Sequence, residues 1–363
     1  MSLLRVTLLL LGAGLLAGAN CAAPDPYRCS APFSSDGPLQ LQWPRARMVY
    51  QQHGGVGAIL LRGWYDGAPT AIEARWNGGP WRVIDPQPRF GVFKGSLPDQ
   101  PIGRGLLEVR FQNDPAASTA VADVGVGNVL VLGGQSNMVM WLDTLSASQR
   151  GASALPQLVS PFDPQGIKWA VDPIHQCVPP VGSIWPGFGD RVIDGTGAPV
   201  MFIATAVSST GLVVPPDWRP GSQHWWDMIE QVYEGTAGQM CPAAMLWLQG
   251  EADALHGVAS DVYEGALVSF AEAFEKNMHC EVPIVVGVIG SIEDSGTVLA
   301  RFADGIRAAQ RAAPLASPHL RPGPETQDLP LNGVHFSDAA APALIERWCA
   351  AIASLGLACA APP

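Results

Sequence analysis

Ser136 sits in Gly133-Gly134-Gln135-Ser136-Asn137-Met138, directly after the apolar run Asn128-Val129-Leu130-Val131-Leu132. A hydroxyl on a glycine-preceded turn at the carboxyl end of a strand is placed to act as a nucleophile. Its own backbone N–H, at the start of the next helix, can meet an oxyanion. Taken alone, the segment reads better as an ordinary strand-to-helix turn with a Ser cap. A serine nucleophile also needs a base. His335, in Asn332-Gly333-Val334-His335-Phe336-Ser337 just before the last helical stretch, is the natural one. Asn332, three residues earlier, can reach Nδ1 and fix the ring's tautomer. A third polar cluster, Gln249-Gly250-Glu251-Ala252-Asp253, ends the run Leu246-Trp247-Leu248.

Such residues meet only if strands deliver them to one edge. Asn128 to Leu132, Pro199 to Val207, Ala244 to Leu248 and Pro283 to Val288 are apolar runs of the kind buried parallel strands show. Helices are expected over Trp225 to Tyr233, Val262 to Lys276, Val298 to Ala312 and Ala339 to Ser354. Alternating strand and helix implies an α/β sheet covered on both faces, with sites at the strand ends. The preceding stretch has a different rhythm. Ala71 to Trp76 and Trp81 to Asp85 flank Asn77-Gly78-Gly79-Pro80, a hairpin connection, and Leu107, Val109 and Phe111 alternate with Glu108 and Arg110. A small β-sandwich over 24–124, Ig-like or jelly-roll-like, is expected before an α/β domain over 125–360.

In the whole chain of 363 residues, 21 Lys and Arg face 32 Asp and Glu, a net charge of −11, and the basic residues form no cluster. Nucleic acid and anionic membrane surfaces are therefore not expected partners. Hydrophobic residues at 48% against charged residues at 15% exclude a disordered chain. The seven Cys contain no C-x-x-C and the seven His are scattered singly, so neither a metal site nor a cofactor is expected. Arg5, the run Val6 to Leu11 and Ala17-Gly18-Ala19 read as a signal peptide over 1–19, cleaved before Asn20. The protein is expected to be secreted or periplasmic, with no integral membrane span. Lipidation at Cys21 is the weaker alternative, because Asn20 suits it poorly. Export permits disulfides. Cys241 and Cys280 each precede a strand-like run and can meet at one sheet edge; Cys349 and Cys359 can close a small loop.

Three segments, Gly134-Gln135-Ser136-Asn137-Met138, Trp247-Leu248-Gln249-Gly250-Glu251-Ala252-Asp253 and Gly333-Val334-His335-Phe336-Ser337, together resemble the sialate O-acetylesterase-like branch of the SGNH (GDSL-like) hydrolases. The resemblance extends over about 124–353, and the β-rich approach is similar to that of bacterial members with an N-terminal β-sandwich. It implies a three-layer α/β/α, flavodoxin-like domain and a metal-independent serine esterase that removes acetyl groups from O-acetylated sugars. Ser136 is then the nucleophile and an oxyanion donor, His335 the general base, Gln249 a side-chain oxyanion donor, and Glu251 and Asp253 scaffold carboxylates.

Two positions depart from the family pattern. Its Gly-Gly-Thr, a source of a backbone oxyanion donor, is here Ser208-Ser209-Thr210, and the donor survives that change only where its backbone conformation suits a residue with a Cβ. The Asp expected three residues before the His is Asn332, which can accept from Nδ1–H but brings no charge; Asp328 is a substitute at the wrong spacing. The expected partner is an O-acetylated carbohydrate. Trp141, Trp218, Trp225 and Trp226 are candidates for a sugar platform and Arg219 for a carboxylate contact. The alternatives are a catalytically impaired carbohydrate-binding homologue, or an SGNH esterase acting on non-sugar acyl esters.

Overall fold

The computed structural model describes residues 37–155, 166–174, 181–291 and 298–361. The expected signal segment at 1–19 and Cys21 lie outside the described residues. The described residues open with seven strands: β1 (Leu39–Trp43), β2 (Val49–His53), β3 (Val56–Tyr65), β4 (Ile72–Trp76), β5 (Arg82–Asp85), β6 (Val92–Pro101) and β7 (Gly103–Phe111). β3 pairs antiparallel with β1, β2 and β6, while β4 pairs antiparallel with β5 and β7. Asn77 and Gly78 both take positive φ, 51° and 69°, which is why an Asn-Gly pair turns the chain between β4 and β5.

The next strand, β8 (Ser118–Gly134), is 17 residues long. Its first half pairs antiparallel with β7, and its second half becomes the central strand of a parallel sheet. The boundary expected at 124/125 falls inside this one strand.

After β8 come α1 (Ser136–Val139), β9 (Ser153–Leu155), β10 (Lys168–Trp169), α2 (Trp185–Thr196), β11 (Val200–Ala204), α3 (Gln223–Gly235), β12 (Ala244–Leu248), α4 (Glu251–Leu255), α5 (Ser260–Met278), β13 (Ile284–Val288), α6 (Val298–Ala316), β14 (Leu320–Glu325), β15 (Leu331–Asn332), β16 (His335–Phe336) and α7 (Ala341–Ala353). The sheet order is β10–β9–β11–β8–β12–β13–β14, parallel except for β10. Adjacent residues of a strand face opposite sides. Phe202 lies against Gly189 of α2, and its neighbour Ile203 lies against Gly235 of α3, so helices cover both faces of the sheet. The aromatic core follows the same division. Trp185 meets Phe202 and Trp348 of α7, while Trp225 and Trp247 both meet Phe270 of α5.

All four expected α/β strands and all four expected helices form. Two elements escape the sequence pattern. β14 contains Arg321-Pro322-Gly323-Pro324, which reads as a loop, yet it pairs with β13 alone at the sheet edge, where prolines lose no ladder bond. α2 carries three glycines and a proline in its twelve residues, and packing against the sheet overrides that low propensity. The expected cysteine pairs, Cys241–Cys280 and Cys349–Cys359, are both joined, with Cα separations of 6.0 and 5.6 Å. The first pair sits where the parallel neighbours β12 and β13 begin.

Candidate active site

Gly133 and Gly134 end β8 because nothing larger fits: a Cβ on Gly134 would lie 2.1 Å from the Leu248 carbonyl oxygen, and its φ is 133°. The chain can therefore turn beside β12 and present Ser136 at the first position of α1. First-turn N–H groups of a helix have no intrahelical acceptor, so the Ser136 N–H is free for a ligand oxygen. The Ser136 side chain makes no hydrogen bond among the described residues.

A buried polar network lies beneath that turn. The Gln135 carbonyl oxygen Oε1 accepts from the Ala252 N–H at 3.2 Å and from Gln249 Nε2 at 3.1 Å. Gln249 Nε2 also lies 3.1 Å from the Thr210 carbonyl and 2.7 Å from Asp253 Oδ2, and its Oε1 accepts from the Tyr263 hydroxyl at 3.0 Å. Asp253 in turn accepts the N–H groups of Leu212, Val213 and Val214. Gln249 is fully buried, with its amide nitrogen beside the Gln135, Thr210 and Asp253 oxygens. Asp253 is the scaffold carboxylate its position suggests.

Ser209 takes φ 62°, a left-handed conformation that favours glycine. The cost shows in Ser209's strained backbone and in the Ser208 hydroxyl, which is buried without a hydrogen-bond partner.

His335 stands on a two-residue hairpin. β15 and β16 pair with Asn332 opposite His335, and Gly333 takes φ 66°, as a type II′ turn requires of its first central residue. α1 packs against β16 and so brings the Ser136 turn to the His335 hairpin. Asn137, next to Ser136, makes the joint. Its Nδ2 donates to the Val334 carbonyl at 2.9 Å and to Glu251 Oε1 at 2.6 Å, and its Oδ1 accepts the Phe336 N–H at 3.3 Å. The backbone on both sides of His335 is clamped by one side chain. Burial raises the Glu251 carboxyl above its ordinary range, and its Oε2 has no partner. Sequence reading quoted Asn137 without giving it a role; its signal was its adjacency to Ser136.

Burial also lowers His335 below the ordinary imidazole range. Among the described residues no carboxylate is hydrogen-bonded to it. Asn332 is exposed, and among the described residues it makes no hydrogen bond to the ring. Asp328, the substitute orienter, is bound instead to Arg347 at 2.6 and 2.7 Å, and that guanidinium holds it at about 2. What lies against the imidazole is Trp141, stacked with centroids 5.0 Å apart and planes at 7°. Of the other tryptophans considered for a sugar platform, Trp218 and Trp225 are core and Trp226 is exposed on α3. Arg219 pairs with Asp217.

The sequence profile of the family described as "carbohydrate esterase, sialic acid-specific acetylesterase" matches residues 126–354, more than half of the chain. The chain belongs to this family. No curated protein matches it in sequence. Among solved structures, it is similar to XAC1771, a novel carbohydrate acetylesterase from Xanthomonas citri, with a TM-score of 0.64 and 17% identity over 87% of this chain and 75% of that one. It is also similar to NanS, with a TM-score of 0.50 and 14% identity over 63% of this chain and 97% of that one. At such identities these likenesses speak for the fold. The carbohydrate esterase family makes this protein an ester hydrolase. Among the described residues no cluster of metal-ligating side chains occurs, and no helix is long and apolar enough to cross a membrane.

Proposed function

We propose that this esterase is an exported carbohydrate O-acetylesterase using Ser136 as nucleophile and His335 as base. The observation that carries this reading is the Asn137 clamp, which ties the backbone around His335 to the residue beside Ser136. Ser136 Oγ attacks the acetyl carbonyl carbon while His335 takes its proton. The resulting oxyanion meets the Ser136 N–H and an N–H of the Ser209 loop. The intermediate collapses as His335 returns the proton to the departing sugar oxygen. Water then attacks the acetyl-enzyme by the same route, releasing acetate and free Ser136.

The sugar is proposed as the acyl carrier on the family's chemistry, and export on the signal-like N-terminus together with the two disulfides. The region before β8's second half is proposed to be a β-sandwich serving as a brace. Its contacts support that role: Arg104 donates to the Gly151 carbonyl and the Ser153 hydroxyl, and Gln51 Oε1 accepts the Val129 N–H at 2.8 Å.

The test is acetate release from a panel of acetylated glycans and from 4-nitrophenyl acetate. Ser136→Ala is expected to lose at least about 10³-fold in kcat while keeping the wild-type circular dichroism spectrum. Retained turnover would remove Ser136 as nucleophile. A second reading, a binding protein that has lost turnover, draws on the exposed Asn332; it requires the wild type to release no acetate from any of these esters.

A further inference from the structure

In a serine triad a carboxylate holds the imidazole in its working orientation and stabilises the imidazolium that forms during attack. Among the described residues, Asp328, Asp338 and Glu251 each bond to a group other than the imidazole. Asp328 is on Arg347, Asp338 accepts from the Asp143 N–H and the Thr144 hydroxyl, and Glu251 reaches the hairpin only through Asn137. Asn332 faces solvent. Among the described residues, α1 and β15 pack against β16, and no hydrogen bond or ion pair to the His335 ring occurs. The Trp141 indole, in contrast, lies parallel to the imidazole at 5.0 Å.

We propose that Trp141 is the positioning residue for the base, supplying by stacking both functions that a carboxylate supplies in a triad. A ring lying parallel to it fixes the plane of the imidazole. When the ring takes the Ser136 proton it becomes a cation over an indole face, and that contact strengthens as charge develops. The stack is therefore worth more in the transition state than before it, which is the condition for raising kcat. Asn137 sets the height of the hairpin and Trp141 sets the tilt of the ring.

This inference rests on the Ser136–His335 reading, and the test separates the two. Trp141→Phe and Trp141→Leu are compared with wild type on 4-nitrophenyl acetate, which has no sugar ring to stack. The Trp141 Nε1–H is buried without an acceptor, so Phe removes no hydrogen bond and keeps an aromatic face. Leu is expected to lower kcat by about 10–100-fold with KM nearly unchanged, and Phe to stay within about fivefold of wild type. Asn332→Asp placed on the Leu variant should recover more activity than it adds to wild type, because it restores the missing charge partner. Should the Leu variant unfold, Trp141→Met fills the space without a ring and carries the same comparison.

Equal losses for Phe and Leu would reduce Trp141 to bulk. A loss seen only as raised KM on acetylated sugars would make it a substrate platform. Either result, or folded Leu variants that Asn332→Asp does not rescue, overturns the inference while leaving the esterase reading standing. If the wild type itself releases no acetate, it is the esterase reading that fails.

Discussion

Beneath Ser136, the side chains of Gln135, Gln249, Asp253, Tyr263 and Thr210 are all buried and bonded to one another or to the loops. Around His335, support comes from one clamp at Asn137 and one stacked ring, on a two-residue hairpin whose tip faces solvent. The nucleophile's side is a satisfied polar network in a low-dielectric interior, where each bond is strong and each loss is expensive. The base's side is a small element held at two points. In the proposed mechanism, charge appears as an oxyanion where the framework is rigid, and a proton moves where it is more open to adjustment.

That contrast can be broken at either end. The largest effect is expected from Gln249→Ala, which leaves Asp253, Tyr263 and the Gln135 side chain short of partners. Urea unfolding should show a loss of about 3 kcal/mol. If stability were untouched and kcat fell about 10²–10³-fold instead, Gln249 would be an oxyanion donor after all. Asn137→Ala comes next. It frees the hairpin from the Ser136 turn, and kcat should fall about 10²-fold, or about 2.7 kcal/mol of barrier, with a smaller change in unfolding free energy. A loss of stability with normal kcat would mean that the clamp does not set the Ser–His geometry.

Smaller effects sharpen the comparison. Ser209→Gly relieves a left-handed Ser and should stabilise the protein by about 0.5–1 kcal/mol in thermal unfolding. No gain would mean that a contact of the Ser209 side chain offsets the strain. The least effect is expected from Asn332→Asp. Because burial lowers the His335 pKa, the wild type should keep its base neutral to pH values below the ordinary imidazole range near 6.5. A carboxylate opposite His335 favours its charged form and raises that pKa, so the acid limb of kcat/KM should move up in pH. At alkaline pH kcat should rise by no more than about threefold, or about 0.6 kcal/mol, because stacking already orients the ring. A tenfold gain would show that the stack is a poor substitute for charge.

Much of this architecture was legible before any coordinates. Apolar runs such as Val129 to Leu132 and Ala244 to Leu248 have no use outside a buried parallel strand, and the turn chemistry of Gly133-Gly134 and Asn332-Gly333 is local. Ser136 and His335 stand out in the sequence because each lies in a recognisable turn segment beside a strand or helix. The cysteine pairs were readable because each thiol's place along a strand or helix set where it could reach. β14 and α2 were not readable, since their prolines and glycines argue against the elements that packing imposes.

What the amino-acid order determined by itself is the kind of chemistry available, a hydroxyl, an imidazole and the strands that carry them, because those signals are local and periodic. The tertiary structure decided who holds whom. Gln249 is turned inward to Asp253 and Tyr263, Asp328 is taken by Arg347, Asn137 reaches nearly 200 residues along the chain to Val334, and Trp141 lies flat on His335. Those are long-range pairings among side chains with several eligible partners each, and only the packed interior, where every buried polar group must be satisfied and every ring must find a face, selects among them.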